Sequence, residues 1–270
     1  MLHLIRNDMN IQFVKARWVG FVISAILIVL GLVASVQIAR GKARMGVDFA
    51  GGTALEIEFQ KAFSSEELRA ALKAPEFQEV EQQSVTDPGH VKYMLRIFAP
   101  SLPTEKVSTR VIEVLKQNVP DNTVTILSSE DVGPAVSAQL RQQAMMAFFW
   151  ASIGILIYIW WRFDFRFSVA ATIATAHDVL AVVGVFYFMG QEVNLLLLTA
   201  LLTLAGYSLN DTVVVFDRIR ENIRLHHKEN FNTIVNNSIN ETLSRTIITS
   251  LTVFLVVLAL FFLGGEVIHP

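Results

Sequence analysis

Between Trp18 and Ala39 the chain carries no charged residue, and four more long apolar runs follow it. They lie at about Ala144 to Trp161, between Arg166 and Gly190, from Val193 to Phe216, and at about Leu243 to Leu263. A helix rises ~1.5 Å per residue, so crossing a ~30 Å hydrocarbon core takes about 20 mostly apolar residues. Each run is long enough, and five together predict a polytopic α-helical membrane protein. With 53% hydrophobic and only 17% charged residues, the composition also lies outside that of ordinary soluble domains. A net charge of -2 with no sustained basic stripe argues against nucleic acid as the main partner. The lack of cysteine excludes disulfides, thiol catalysis and thiolate metal sites.

The first run follows Lys15 and Arg17, as a signal peptide would, but it exceeds the usual apolar length of one and no small-x-small cleavage site follows. It reads as an anchor. Lys and Arg in short loops set orientation. With the N-terminus inside, cytoplasmic segments hold Arg6, Lys15 and Arg17, then Arg162 and Arg166, then Arg218, Arg220, Arg224 and Lys228. The opposite loop near Gln191 has Glu192, and only Arg40, Lys42 and Arg44 run against the balance. The expected organisation is a cytoplasmic N-terminus over 1–17, a first span over 18–39, an extracytoplasmic domain over 40–141 and a helical bundle over 142–270.

The polar stretch from about Met45 to Arg141 changes periodicity. Gly46 to Phe59 reads as extended, with Leu55, Ile57 and Phe59 alternating against Ala54, Glu56 and Glu58. Ser64 and Glu67 form a capping box that opens a helix to Lys73. Glu79 to Thr86 and Val91 to Phe98 read as strands joined by the turn Asp87-Pro88-Gly89. A second helix runs from Pro103 to about Asn118, and Val124 to Leu127 is a last strand. The order β-α-β-β-α-β predicts a ferredoxin-like α+β domain. Its carboxylates are scattered and His90 stands alone, so it reads as a binding or spacer module rather than an enzyme site.

Ionisable groups inside hydrocarbon are costly and mark candidate functional positions. His177 and Asp178 fall near the middle of the third run, Asn210 and Asp211 in the fourth after Gly206, Tyr207 and Ser208, and Arg245 at the start of the fifth. Tyr207 and Asp211, four apart, share a helix face. Gly206 and Ser208 permit close approach of another helix. Arg245 is placed to neutralise Asp211, so the pair is either a static register-fixing ion pair or a relay in which the carboxylate alternates between arginine and proton. His177 and Asp178 are either part of that relay or hydrogen-bonding groups inside the bundle. No second histidine lies at metal-ligand spacing from His177. Neither a metal nor another cofactor is expected, and no phosphate-binding G-x-x-x-x-G-K-[ST] loop occurs. Asp217 to Asn240 reads as an amphipathic cytoplasmic helix or helix pair.

Several of these stretches together resemble the SecD/SecF family of protein-export membrane proteins. Gly46-Val47-Asp48-Phe49-Ala50-Gly51-Gly52-Thr53 resembles its signature after the first span, and Glu130-Asp131-Val132-Gly133-Pro134 the return to the membrane. His177-Asp178-Val179, Gly206 to Thr212 with Phe216 to Asn222, and Asn237 to Thr242 with Ser244-Arg245-Thr246 resemble its later span motifs. The resemblance implies six spans, kinship to resistance-nodulation-division transporters, and residence in the bacterial inner membrane among its lipids. It implies assembly with SecD beside the SecY–SecE–SecG channel, where the proton gradient helps draw unfolded preproteins outward. It places an essential carboxylate and arginine at Asp211 and Arg245. Five runs precede Pro270, so the sixth span is expected to be missing from this sequence. A scaffold that only stabilises the export complex is the alternative. A small-molecule exporter of the wider superfamily fits less well, because such exporters carry larger exterior domains and both halves in one chain.

Overall fold

The computed structural model describes residues 11–264 apart from 62, 78, 88–89, 100–101 and 121. The turn residues Pro88 and Gly89, and the chain ends at 1–10 and 265–270, lie outside the described residues. Elements follow in the order α1 (Arg17–Ala39), α2 (Val47–Ala50), β1 (Gly52–Phe59), α3 (Ser65–Ala71), β2 (Glu79–Asp87), β3 (His90–Phe98), α4 (Thr104–Asn118), β4 (Val124–Val132), α5 (Pro134–Arg162), α6 (Phe165–Phe188), α7 (Leu195–Leu225) and α8 (Phe231–Leu263). Among the described residues five helices, α1 and α5 to α8, are long and apolar enough to cross a membrane. Most of their surface is exposed within the chain, as expected where lipid rather than protein covers apolar side chains.

Two compact units emerge, one of 1–39, 154–188 and 201–270, the other of 40–153 and 189–200. In the second unit the strands form an antiparallel sheet ordered β2-β3-β1-β4. Period-2 alternation along β1 buries Leu55, Ile57 and Phe59 and leaves Ala54, Glu56 and Glu58 on the other face. Tyr93, Leu95 and Ile97 of β3 join them, and Val107, Val111, Val114 and Leu115 of α4 close the core from one side. Ser64 caps α3 in a reciprocal box with Glu67, whose carboxyl the Ser64 amide and hydroxyl hold below the usual carboxylate range. The Arg110 guanidinium, 2.7 Å from Glu76 Oε1, lowers that carboxyl in the same way.

Two stretches differ from the sequence expectation. Val47 to Ala50 forms a helical turn instead of extending β1, and it ends at Gly51, whose φ of +77° favours glycine. β4 runs to Val132, five residues past Leu127, through a bulge opposite Glu56/Ile57. The segment after Phe216 takes the helix-pair form of the expectation, with both helices continuous with the spans: α7 continues to Leu225 and α8 starts at Phe231 under an Asn230 cap.

In the same unit, the chain just before α7 runs parallel to Arg44–Gly46. Val193 N–H donates to Arg44 O at 2.8 Å, and Gly46 N–H to Val193 O at 2.9 Å. Asp48 Oδ2 accepts from Leu195 N at 3.1 Å and Asn194 Oδ1 from Leu197 N at 2.8 Å, so two side chains satisfy the first turn of α7. Arg96 bridges Glu81 on β2 and Glu192 beside this loop.

In the first unit, α1 and α6 meet glycine to glycine. A Cβ on Gly184 would sit 2.7 Å from Gly31 N, and one on Gly31 would sit 2.3 Å from Leu180 O. Only hydrogen fits there, as at other close membrane-helix crossings. Ile159 of α5, Phe163 of the α5–α6 turn, Ala171 of α6 and Leu209 of α7 form a second buried cluster. Beside it, Ser168 Oγ lies 3.1–3.2 Å from the carbonyls of Ile159, Phe163 and Asp164, holding the α5–α6 turn.

Candidate functional site

The polar groups of the spans gather on α6 and α7. Asp178 sits at their meeting line: its Oδ2 accepts from Ser208 Oγ at 2.5 Å and its Oδ1 lies 2.8 Å from His177 Nδ1. Which of the two atoms donates in the His177–Asp178 contact depends on the tautomer of the imidazole. The other ring nitrogen, Nε2, is a buried atom with no hydrogen-bond partner among the described residues.

One turn beyond Ser208, Asp211 is half-buried and makes no hydrogen bond or ion pair among the described residues. Arg245 on α8 is exposed and equally unpaired, and Thr249 Oγ1 donates to its carbonyl at 2.6 Å. The two charges expected to meet are therefore apart in this structure. Tyr207, 52% exposed, and the exposed Asn210 lie on the face of α7 that the chain's own helices leave open. The structure thus brings His177, Asp178 and Ser208 together and leaves Tyr207, Asn210, Asp211 and Arg245 without side-chain hydrogen-bond or ion-pair partners among the described residues. Sequence reasoning assigned Ser208 only a packing role. The signal for its bond was a hydroxyl near the centre of one span and a carboxylate near the centre of the span before it.

A second polar cluster joins α7 to α8 below this layer. Asn222 Nδ2 donates to Ser238 Oγ at 3.0 Å and to Glu241 Oε2 at 2.8 Å, while Arg218 Nε reaches Glu241 Oε2 at 2.6 Å. Asn222 and Ser238 are almost wholly buried. Asn240 closes the cluster on the N-terminal segment: its Oδ1 accepts from Ile11 N and its Nδ2 donates to Ile11 O, both at 2.9 Å. Buried polar side chains with every partner present fix one register, and removing one strands the rest. Among the described residues no group of three His, Cys, Asp or Glu could hold a metal ion.

Residues 111–270 match the profile of the family described as protein export membrane protein SecD/SecF, C-terminal. The chain is 43% identical over 262 residues to protein translocase subunit SecF of Thermodesulfovibrio yellowstonii, covering 96% of this chain and 85% of that protein. It is 39% identical over 251 residues to protein translocase subunit SecDF of Thermus thermophilus, spanning 92% of this chain and 34% of that longer one. A crystal structure of SecDF from Thermus, a translocon-associated membrane protein, superposes with a TM-score of 0.80 at 37% identity, covering 98% of this chain and 35% of the crystallised one. The similar sequence stretches, the five long apolar helices and these relatives lead to one conclusion: the chain belongs to the SecD/SecF family, among the SecF protein translocase subunits.

Proposed function

We propose that this protein is the proton-coupled subunit of an export complex, pairing with SecD beside the SecY–SecE–SecG channel and using the proton gradient to promote translocation and release of unfolded preproteins. The N-terminus lies in the cytoplasm and residues 40–141 form an extracytoplasmic domain, whose antiparallel order β2-β3-β1-β4 with both helices between strands supports a ferredoxin-like assignment. The observation that carries the reading is the His177–Asp178–Ser208 cluster next to an unpaired Asp211 inside apolar helices. A carboxylate without a counter-ion in such a place is costly, and taking up a proton removes the cost. Arg245 offers the competing partner: when α8 shifts toward α7 the charges neutralise and the proton leaves. Changes in that packing, carried along α7 to the Asp48 cap at its first turn, give protonation a mechanical output. The exposed face bearing Tyr207 and Asn210 supports a partner helix there, and the fused SecDF relative supports SecD as its owner.

Proton entry into dye-loaded vesicles containing the full-length protein, SecD and the channel tests this reading. The flux rises when a preprotein is engaged and is lost in Asp211→Asn. An unchanged flux in that variant would transfer support to a scaffold that only stabilises the complex.

A further inference from the structure

A groove runs between α5 and α6 on the outside of the helical unit. Leu156, Ile157, Trp160 and Trp161 line it from α5, and Val169, Thr172 and Ile173 from α6. Its volume is about 710 Å³, within the range of small-molecule sites. Thr172 puts no open polar group into it, because its hydroxyl donates to Ser168 O at 2.9 Å. The groove wall is therefore apolar along its length.

One end is different. Trp161 is 87% exposed and Phe165 is 70% exposed. Arg166 stands three and seven residues before Val169 and Ile173, which puts it on the same stripe of α6. The neighbouring charges are already engaged: Arg162 binds Asp217, and Arg220 lies 3.6 Å from Asp164. Arg166 makes no ion pair among the described residues. An apolar trench with aromatic rings and one uncommitted guanidinium at its mouth has the polarity of a phospholipid, acyl chain below and phosphate above.

We propose that the α5–α6 groove seats an anionic phospholipid, with one acyl chain along Ile157, Trp160 and Ile173 and the headgroup phosphate on Arg166. Guanidinium matches phosphate in geometry and charge. With the N-terminus inside, the lipid belongs to the cytoplasmic leaflet, although the groove's selectivity does not depend on that orientation.

The tryptophans supply the readout. Residues 1–270 hold four, so Trp18→Phe and Trp150→Phe, with Phe in place of any tryptophan that the full-length protein carries elsewhere, leave only the pair in the groove. Full-length protein in vesicles is titrated with brominated phosphatidylglycerol or brominated phosphatidylcholine, and quenching is followed. The anionic lipid is expected to reach half-quenching at about fivefold lower mole fraction, the effect of one cation near a phosphate. Arg166→Gln brings the two lipids to parity and Arg166→Lys keeps most of the preference. Equal quenching by both lipids in the parent would mean bulk lipid bathes the groove, and quenching by neither would mean that protein covers it. Either result overturns the proposal without relying on a variant.

Discussion

Ser208 Oγ on α7 donates to Asp178 Oδ2 on α6 at 2.5 Å, so each helix depends on the other for a satisfied polar group at the level of the candidate relay. Sequence spacing relates Tyr207 to Asp211, but this contact lies on another side of α7. Asp178 is thereby engaged on both oxygens, whereas Asp211 has no partner among the described residues. Two intramembrane carboxylates in one helix pair thus have different environments.

Ser208→Ala should lower stability by about 1 kcal/mol, the scale of an interhelical hydrogen bond in a membrane. Unfolding in mixed detergent measures it. Asp178→Asn keeps an acceptor for Ser208 and should cost less, while Asp178→Ala should cost more by leaving the Ser208 hydroxyl unpaired.

Gly31→Val and Gly184→Val should separate α1 from α6, since even a Cβ meets backbone within 3 Å at both positions. A loss of about 1–3 kcal/mol is expected from overpacking, read as a lower melting temperature. The same change at Gly154, where nothing lies within 4 Å of an added Cβ, should be tolerated.

Asn222→Ala removes the donor shared by Ser238 and Glu241. It should cost about 1–3 kcal/mol and release the α7–α8 junction. Faster proteolysis between Leu225 and Phe231 would report that loosening. Asn222→Asp should also fail, because it replaces the donor with a second carboxylate facing Glu241.

The sheet-bearing unit should weaken in acid. Glu67 and Glu76 carry folded-state pKa values below their unfolded ones, through Ser64 and Arg110 respectively. Their contribution is present above about pH 5, where the unfolded carboxyls are ionised, and is lost as pH falls through the folded values. Protection factors across α3 and α4, with the intrinsic exchange rate divided out, should fall from pH 5 to pH 3, and Glu67→Gln with Glu76→Gln should flatten that fall.

Much of this architecture was readable from the residues. The apolar runs marked all five long helices, because crossing hydrocarbon imposes a length that composition cannot hide. The Leu55–Ile57–Phe59 alternation and the Ser64/Glu67 box located β1 and α3 because both signals are local. Long-range relations were less visible. Nothing in the spacing of Gly31 and Gly184 shows that they face each other, and nothing in the polar stretch from Asp217 to Asn240 shows that Asn222 and Ser238 meet in a buried hydrogen bond. Asp211 and Arg245 form no ion pair among the described residues, since adjacency in sequence does not fix how closely α7 and α8 pack at that depth. The α2 turn was read as strand because Asp48 turns back to cap α7, a demand arising about 150 residues away.

The central claim is that Asp211 couples the proton gradient to export. Its most direct test is the rate at which a trapped preprotein leaves vesicles containing full-length protein, SecD and the channel, with the gradient imposed and then collapsed by an uncoupler. The gradient should markedly accelerate release in the parent and not at all in Asp211→Asn, with SecD co-purifying equally in both. A gradient response that survives Asp211→Asn would contradict it.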